Sequence, residues 1–304
     1  MPEEHLSLMA SVSGSQASAA PVAGAWPSLG IPFPLRNPRE LEPLTRHLRK
    51  QVLLTIAAAN SGHPGGSLSA VEIMAALYFC LMRHDPRNPH WPDRDRFVLS
   101  KGHCTPILYS VLAECGYFPR EELATFRRIN SRLQGHAHIM APGVDASTGS
   151  LGQGLSFGVG AALAGRLDRK DYRVYVLLGD GECDEGQVWE AAMSAAHYRL
   201  ENLIAIVDRN RIQNDRFTDE VMELEPLADK WRAFGWNTLE VDGHDLEKVL
   251  GALKAAPQEK GKPTVIIAHT VKGKGVSFME NNPDFHGRAP TPTELERALK
   301  ELEG

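Results

Sequence analysis

Asp180 and Asn210 are the residues from which chemistry can first be read. Asp180 sits in Gly179-Asp180-Gly181, after the apolar run 173–178. Asn210 follows a second apolar run, 203–207, 30 residues further on. A carboxylate and a carboxamide oxygen are hard ligands. With a backbone carbonyl and phosphate oxygens they can complete an octahedron around Mg²⁺ or Ca²⁺. Gly181 lets the backbone approach a phosphate closely. Most such triplets are simple turns, and the asparagine at the end of the next strand is what gives the phosphate–metal reading its weight. A second glycine-rich stretch, Ser147-Thr148-Gly149-Ser150-Leu151-Gly152-Gln153-Gly154, leads into small residues from Phe157 to Leu167. Its N–H groups could cradle a phosphate or a polar ring. Tight helix–strand packing explains the same glycines.

His63, His103, His136 and His286 each lie beside glycine in an expected loop. One such histidine is usually a solvated or hydrogen-bonded side chain. Four in comparable settings point to a polar pocket where neutral imidazoles handle hydroxyl protons near neutral pH. They lack the spacing of a zinc site. His47 and His197 read as structural.

The elements that must position these groups follow from periodicity. Leu44, Leu48, Val52 and Ile56 recur at helical spacing, and the chain breaks at Ser61-Gly62-His63-Pro64-Gly65-Gly66. A helix is predicted to start at Ser69, with Glu72 completing a capping box. Phe97-Val98-Leu99 reads as a buried strand, followed by a helix capped at Thr105-Pro106 and ending at Gly116. The apolar runs at 173–178 and 203–207, with a helix near 188–200 between them, make a βαβ unit. Their continuous apolar character suits a parallel sheet covered on both faces. Strands at 238–241 and 264–268 with a helix near 245–256 continue the alternation, and Thr293 and Glu296 are predicted to cap a last helix. The expected fold is α/β: a single doubly wound domain over 36–304, with a mostly parallel sheet and helices on both faces. Ligands in such sheets bind beyond the carboxyl ends of the strands, where Asp180 and Asn210 stand. Residues 1–35, rich in Ser, Ala, Gly and Pro, read as a mobile N-terminal arm.

Taken in order, the motifs resemble one family. Ser61-Gly62-His63-Pro64, Leu99-Ser100-Lys101-Gly102-His103, Gly135-His136, Thr148 to Gly154, Gly179-Asp180-Gly181 with Asn210-Arg211-Ile212, Thr270 to Gly275, and His286-Gly287 are similar to the diphosphate-binding N-terminal half of transketolases, which are thiamine diphosphate enzymes. The resemblance runs from about Leu41 to the C-terminus. It implies that Asp180, Asn210 and the Ile212 carbonyl hold Mg²⁺ or Ca²⁺ on the diphosphate. Gly181 and His103 would contact the diphosphate, with Gly179, Glu182 and Lys101 close by. Gly149, Ser150 and Leu151 would line the cofactor site. His63 and His286 would face the hydroxyl deprotonated during carbon–carbon cleavage, and His136 a terminal hydroxyl of the donor ketose. Lys101 and Lys272 match lysines near that site, and Glu185 and Glu190 match acidic residues near a seam between two active sites. Many relatives carry proline after the glycine–histidine pair, where Ala137 and then His138 stand here. His136 keeps its glycine and is preferred over His138 for the substrate-facing role.

Full-length members are roughly twice this long, so the resemblance implies a split transketolase. A separate pyrimidine-binding C-terminal subunit would complete the site, and two such pairs would form a dimer of heterodimers. The expected reaction moves a two-carbon ketol unit from a ketose phosphate, such as xylulose 5-phosphate, to an aldose phosphate, such as ribose 5-phosphate. The alternatives are the same transfer on a sulfonated or branched sugar, or a non-catalytic cofactor-binding regulatory subunit. Composition is that of an ordinary soluble globular protein, and the expected location is the cytoplasm. Lys and Arg total 33 against 38 for Asp and Glu, an acidic balance that argues against nucleic acid as a partner. No apolar run approaches the roughly 20 residues of a membrane span, and the four scattered cysteines make no disulfide framework.

Overall fold

The computed structural model describes residues 35, 38–214 and 216–303. The expected mobile arm lies outside the described residues except for Leu35, which is buried and whose N–H donates to Phe79 O (2.9 Å).

Five strands form one parallel sheet: β1 Arg96–Leu99, β2 Val174–Gly179, β3 Leu203–Arg209, β4 Asn237–Asp242 and β5 Thr264–His269. Their spatial order is β1-β2-β3-β5-β4. The β-branched and aliphatic residues of β2, β3 and β5 alternate between two cores. Tyr175, Leu177, Ile204, Ile206 and Ile266 face one; Val176, Leu178, Ala205, Val207 and Ile267 face the other. Fully burying a Val, Leu or Ile side chain contributes about 1.5–3 kcal/mol, so central strands apolar on both sides anchor the domain.

The helices divide accordingly. Helices α1 (Leu41–Ala59), α2 (Pro64–Ser69), α3 (Val71–Ala76) and α4 (Thr105–Cys115) supply the first core, with the helix Leu246–Ala255. Helices α5 (Gln153–Leu167) and α6 (Gly186–His197) supply the second, with the helix Leu227–Ala233. The doubly wound α/β architecture expected from the sequence is the one observed.

Helix starts differ from the sequence reading. The helix expected at Ser69 begins at Pro64, inside the expected break, and Ser69 is its last residue. Ser69 Oγ turns inward to Asp208 (2.6 Å), and Glu72 pairs with Arg49 instead of capping. Helix α4 includes Thr105, whose hydroxyl donates to Gly135 O (3.1 Å). Helix α5 starts four residues before Phe157. The last helix, Pro292–Glu301, is capped by Thr291 and Glu294, two residues before the predicted pair. Threonine precedes glutamate by three at both places, and Pro292, favoured at the first helical position, selects the earlier one.

The topology places a crevice. After β3 the chain passes to the second core, where Leu227 and Trp231 pack; after β5 it passes to the first, where Val276, Met279 and Phe285 pack. Adjacent strands whose chains leave to opposite faces open a cleft at their carboxyl ends.

Candidate active site

The cleft at those strand ends gathers the residues singled out from the sequence. Register pairs Gly179 with Asp208, so Asp180 lies level with Arg209 and one residue below Asn210. The cleft is lined by Gly179, Asp180, Gly181, Glu182, Asn210 and Ile212, by Lys101, His103 and Leu151, and by Lys272 and His286. Asp180 is buried. Its Oδ1 accepts from Gly181 N–H (2.8 Å), and its Oδ2 from Arg211 N–H (2.5 Å) and Arg209 Nη1 (3.1 Å). Asn210 Oδ1 accepts from Ile212 N–H (3.2 Å). Ile212 O accepts from Lys272 Nζ (2.7 Å).

One carboxylate, one carboxamide and one carbonyl are hard oxygen donors, each with lone pairs to spare, and so the set fits Mg²⁺ or Ca²⁺. The fit extends to a phosphate cradle. A Cβ on Gly181 would meet Gln213 Cβ at 2.4 Å, so only glycine lets the hairpin Ile212–Gln213 / Arg216–Phe217 lie against this turn.

Beneath the cleft is a buried ion pair that the sequence did not signal. Lys101 Nζ donates to Asp208 Oδ2 and to Gly66 O (3.1 Å). Asp208 also accepts from Ser69, Thr270 and Asn210 (3.2 Å for the last). Burial pushes the Asp208 carboxyl up, but the Lys101 ammonium and these hydrogen bonds outweigh it and hold it below the usual carboxylate value. The Asp180 carboxyl is raised, by burial first and by Asp208 next. Glu182 is committed to the scaffold: its oxygens accept from Ser100 Oγ (2.5 Å), Gly152 N–H (2.9 Å) and Gly179 N–H (3.0 Å).

The four glycine-flanked histidines converge. The His63 ring lies 5.1 Å from His103, 5.4 Å from His286 and 6.2 Å from His136 between centroids, and His103 lies 5.5 Å from His286. Burial lowers the pKa of all four. His63 falls to about 4, with Arg127 the next cause, and His286 to about 3, with Lys272 the next. His103 is lowered further by Lys101, and His136 by Arg127. All four are neutral at pH 7 and able to accept a proton. Lys272 is itself brought down to about 8, by burial and then by Lys101. As an ammonium it can only donate, so His286 Nδ1 (2.8 Å) accepts and Nε2 carries that ring's proton.

Gly149, at φ +147°, brings its backbone under the His136 ring, where a Cβ would meet Cδ2 at 2.8 Å. Ala137 N–H donates to Gly102 O (3.1 Å), a bond proline could not make there. His136 thus joins the cluster at its exposed edge, whereas His138, exposed as well, accepts from Met140 N–H (3.2 Å) within its own turn. Ser150 is exposed in a shallow groove beside His136. Glu185 and Glu190 are exposed, Glu185 at the start of α6 and Glu190 within it, and neither lines the cleft; Glu185 lies against Gly152. Arg127 was missed. Its Nη1 donates to Ser61 Oγ (2.5 Å), its Nη2 lies 3.5 Å from His63 Nδ1, and its buried Nε has no partner. It sits in Phe126-Arg127-Arg128, which carries no motif.

Comparison with known proteins agrees with this geometry. Residues 43–303 match the family model described as transketolase, thiamine diphosphate binding domain. The chain belongs to the transketolase family. It is 49% identical over 257 residues to the 6-deoxy-6-sulfo-D-fructose transketolase subunit of Clostridium sp. (strain MSTE9), covering 84% of this chain and 94% of that one. It is 45% identical over 254 residues to an apulose-4-phosphate transketolase subunit of Phocaeicola vulgatus, covering 84% and 90%. Among solved structures, the transketolase from Leishmania mexicana superimposes with a TM-score of 0.82 at 32% identity, covering 86% of this chain and 41% of that one. The chain therefore spans nearly all of the two subunits and about two fifths of the solved transketolase. Among the described residues no helix is long and apolar enough to cross a membrane.

Proposed function

We propose that this chain is the diphosphate-binding subunit of a split transketolase. With a separate pyrimidine-binding subunit, as a dimer of heterodimers, it would transfer a two-carbon ketol unit from a ketose to an aldose, its donor being a sulfonated or branched ketose rather than a common pentose phosphate. The observation that carries the chemistry is the convergence of four neutral imidazoles, of which His103 and His286 line the cleft that holds Asp180, Asn210 and the Ile212 carbonyl. The donor reading is favoured by the names of two relatives, which act on 6-deoxy-6-sulfofructose and apulose 4-phosphate. The ordinary transfer from xylulose 5-phosphate to ribose 5-phosphate is the second reading, supported by family membership.

Asp180, Asn210 and the Ile212 carbonyl would hold Mg²⁺ or Ca²⁺ on the cofactor's diphosphate, with Gly181 giving it room and His103 and Lys101 bordering it. Thiamine diphosphate, when bound, supplies the electron sink for the charge released as the carbon–carbon bond breaks. The chain's own residues handle protons and orientation. His63 accepts the hydroxyl proton, for which its neutral state at pH 7 suits it. His286 offers Nε2–H to a substrate oxygen. His136 and Arg127 border the outer edge and orient the donor. A non-catalytic protein would have no need for the four imidazoles to be held together.

The test is ketol transfer by the reconstituted pair with thiamine diphosphate and Mg²⁺. It compares 6-deoxy-6-sulfofructose, apulose 4-phosphate and xylulose 5-phosphate as donors. Turnover of either unusual donor at higher kcat/KM than xylulose 5-phosphate supports the first reading, and the reverse order supports the second. Turnover unaffected by His63→Ala and Asp180→Ala would overturn both.

A further inference from the structure

Lys272 rides on a strap, Thr270–Gly275, that leaves the end of β5 and forms turns but neither helix nor strand. Hydrogen bonds from several parts of the chain fasten its backbone, among them Asn281 N–H to Lys272 O (2.9 Å) and Gly275 N–H to Glu280 Oε1 (3.0 Å). Thr270 N–H donates to Arg209 O (3.1 Å) and Gly273 N–H to Gly65 O (3.0 Å). Val271 N–H donates to His244 Nε2 (2.8 Å), and Lys274 O accepts from Arg49 Nε (2.9 Å). The last two fastenings are side chains, and one carboxylate links them. Glu72 accepts from Arg49 Nη2 (2.6 and 2.9 Å) and lies 3.0 Å from His244 Nδ1.

We propose that Arg49, Glu72 and His244 form a buried relay of hydrogen bonds that positions Lys272, and through it His286, at the reaction site. The proposal rests on the functional reading above. Its logic is one of donors and acceptors. A backbone N–H can only donate, so His244 Nε2 must accept from Val271, and the ring proton must lie on Nδ1. That proton is donated to Glu72 Oε2. Glu72 therefore selects the tautomer that can hold the strap, and Arg49 keeps Glu72 ionised. Burial pushes the Glu72 carboxyl up, but His244 and Arg49 outweigh it and hold it below its ordinary value.

A staple between α1 and α3 would need only Arg49 and Glu72, both buried. The third member comes from the turn after β4 and spends its other nitrogen on the residue next to Lys272. Three residues beyond Lys272, a Cβ on Gly275 would meet Arg49 Cδ at 2.8 Å, so the strap is seated directly on the relay. None of the three residues lines the histidines' cleft, so they act only through Lys272 and are positioning residues.

The test uses the full chain and its reconstituted pair with Glu72→Gln, His244→Phe and His244→Gln. In Glu72→Gln the single amide oxygen is claimed by Arg49. The amide NH₂ then faces His244 Nδ1, which drives the ring to the Nε2–H form, donor against donor at Val271. In His244→Phe both bonds go. In His244→Gln an amide oxygen can still accept from Val271. Amide hydrogen exchange across 270–275 and steady-state kinetics are the readouts, with thermal melting as the control. Expected for Glu72→Gln and His244→Phe is exchange at Val271 and Gly273 faster by about tenfold or more. kcat should fall about 10- to 100-fold, the cost of a misplaced group in a preorganised site, with KM for the donor within about twofold. His244→Gln should recover most of both. Unchanged exchange at Val271 would overturn the proposal. So would faster exchange with unchanged kcat, or losses that follow melting temperature alone in all three variants. If the wild-type pair transfers no ketol unit, the functional reading fails, while the exchange data still decide whether the relay holds the strap.

Discussion

Four imidazoles neutral at pH 7, two of them with pKa values of about 4 and about 3, and one lysine poised near 8, fix how this site should answer to pH. Lys272 is charged below about pH 8 and neutral above it, so kcat of the pair is expected to change through that value. Lys272→Met should remove that limb and, because the ammonium no longer holds His286 and His63 down, move the acid side toward higher pH. The same groups bear on stability with a definite sign. His63 and His286 have folded pKa values of about 4 and about 3 against an ordinary 6.5. The unfolded chain therefore takes up protons first as pH falls below 6.5, and stability is lost from there downward. Urea midpoints of His63→Gln and His286→Gln between pH 5 and 7 should fall less steeply than the wild type's. A larger effect is expected at the buried pair. Lys101→Met strands the Asp208 carboxylate and should destabilise the chain by about 3–5 kcal/mol in equilibrium unfolding, toward the lower figure because Ser69, Thr270 and Asn210 still donate to it. The four histidines were legible in the sequence through the motifs around them, whereas His244, also beside a glycine, carries no such motif. Arg127, Asp208 and Arg209 were not, because a guanidinium in a loop and charges closing an apolar strand take their roles only from what the fold sets beside them.

At the scale of elements, apolar runs announced the strands, since a parallel sheet buried on both faces needs no alternation to recognise it. Helix starts were less legible. Ser69 and Thr105 have the right chemistry for caps, yet tertiary partners at Asp208 and Gly135 claim both hydroxyls. The hairpin that carries Ile212 was invisible for a similar reason. Two-residue strands have no periodicity, and only the contact of Gln213 with the Gly181 turn shows why the segment lies where it does. That contact gives a prediction. Gly181→Ala must push the hairpin, and with it the Ile212 carbonyl, away from Asp180. Calorimetric titration of the pair with thiamine diphosphate and Mg²⁺ should show affinity weakened about tenfold or more, about 1.4 kcal/mol per decade, with little change in melting temperature.

At the scale of the whole molecule, the chain carries the cleft at its strand ends and spans about two fifths of a solved family member. Cofactor affinity should therefore be weak for the full chain alone and tightened by the second subunit. Asp180→Ala should abolish binding in both states, again by titration. The floor of the cleft is drawn from distant parts of the sequence: Lys101 meets Asp208 across 107 residues, and Ser69 meets Asp208 and Asn210 across 139 and 141. Contacts so far apart close late, because loop-closure entropy must be met before they contribute. A ligand that binds only the assembled cleft stabilises the folded molecule over the unfolded chain. At a hundredfold excess over its dissociation constant, such a ligand adds about 2.7 kcal/mol. The lifetime of this protein against proteolysis should then rise and fall with the supply of its cofactor.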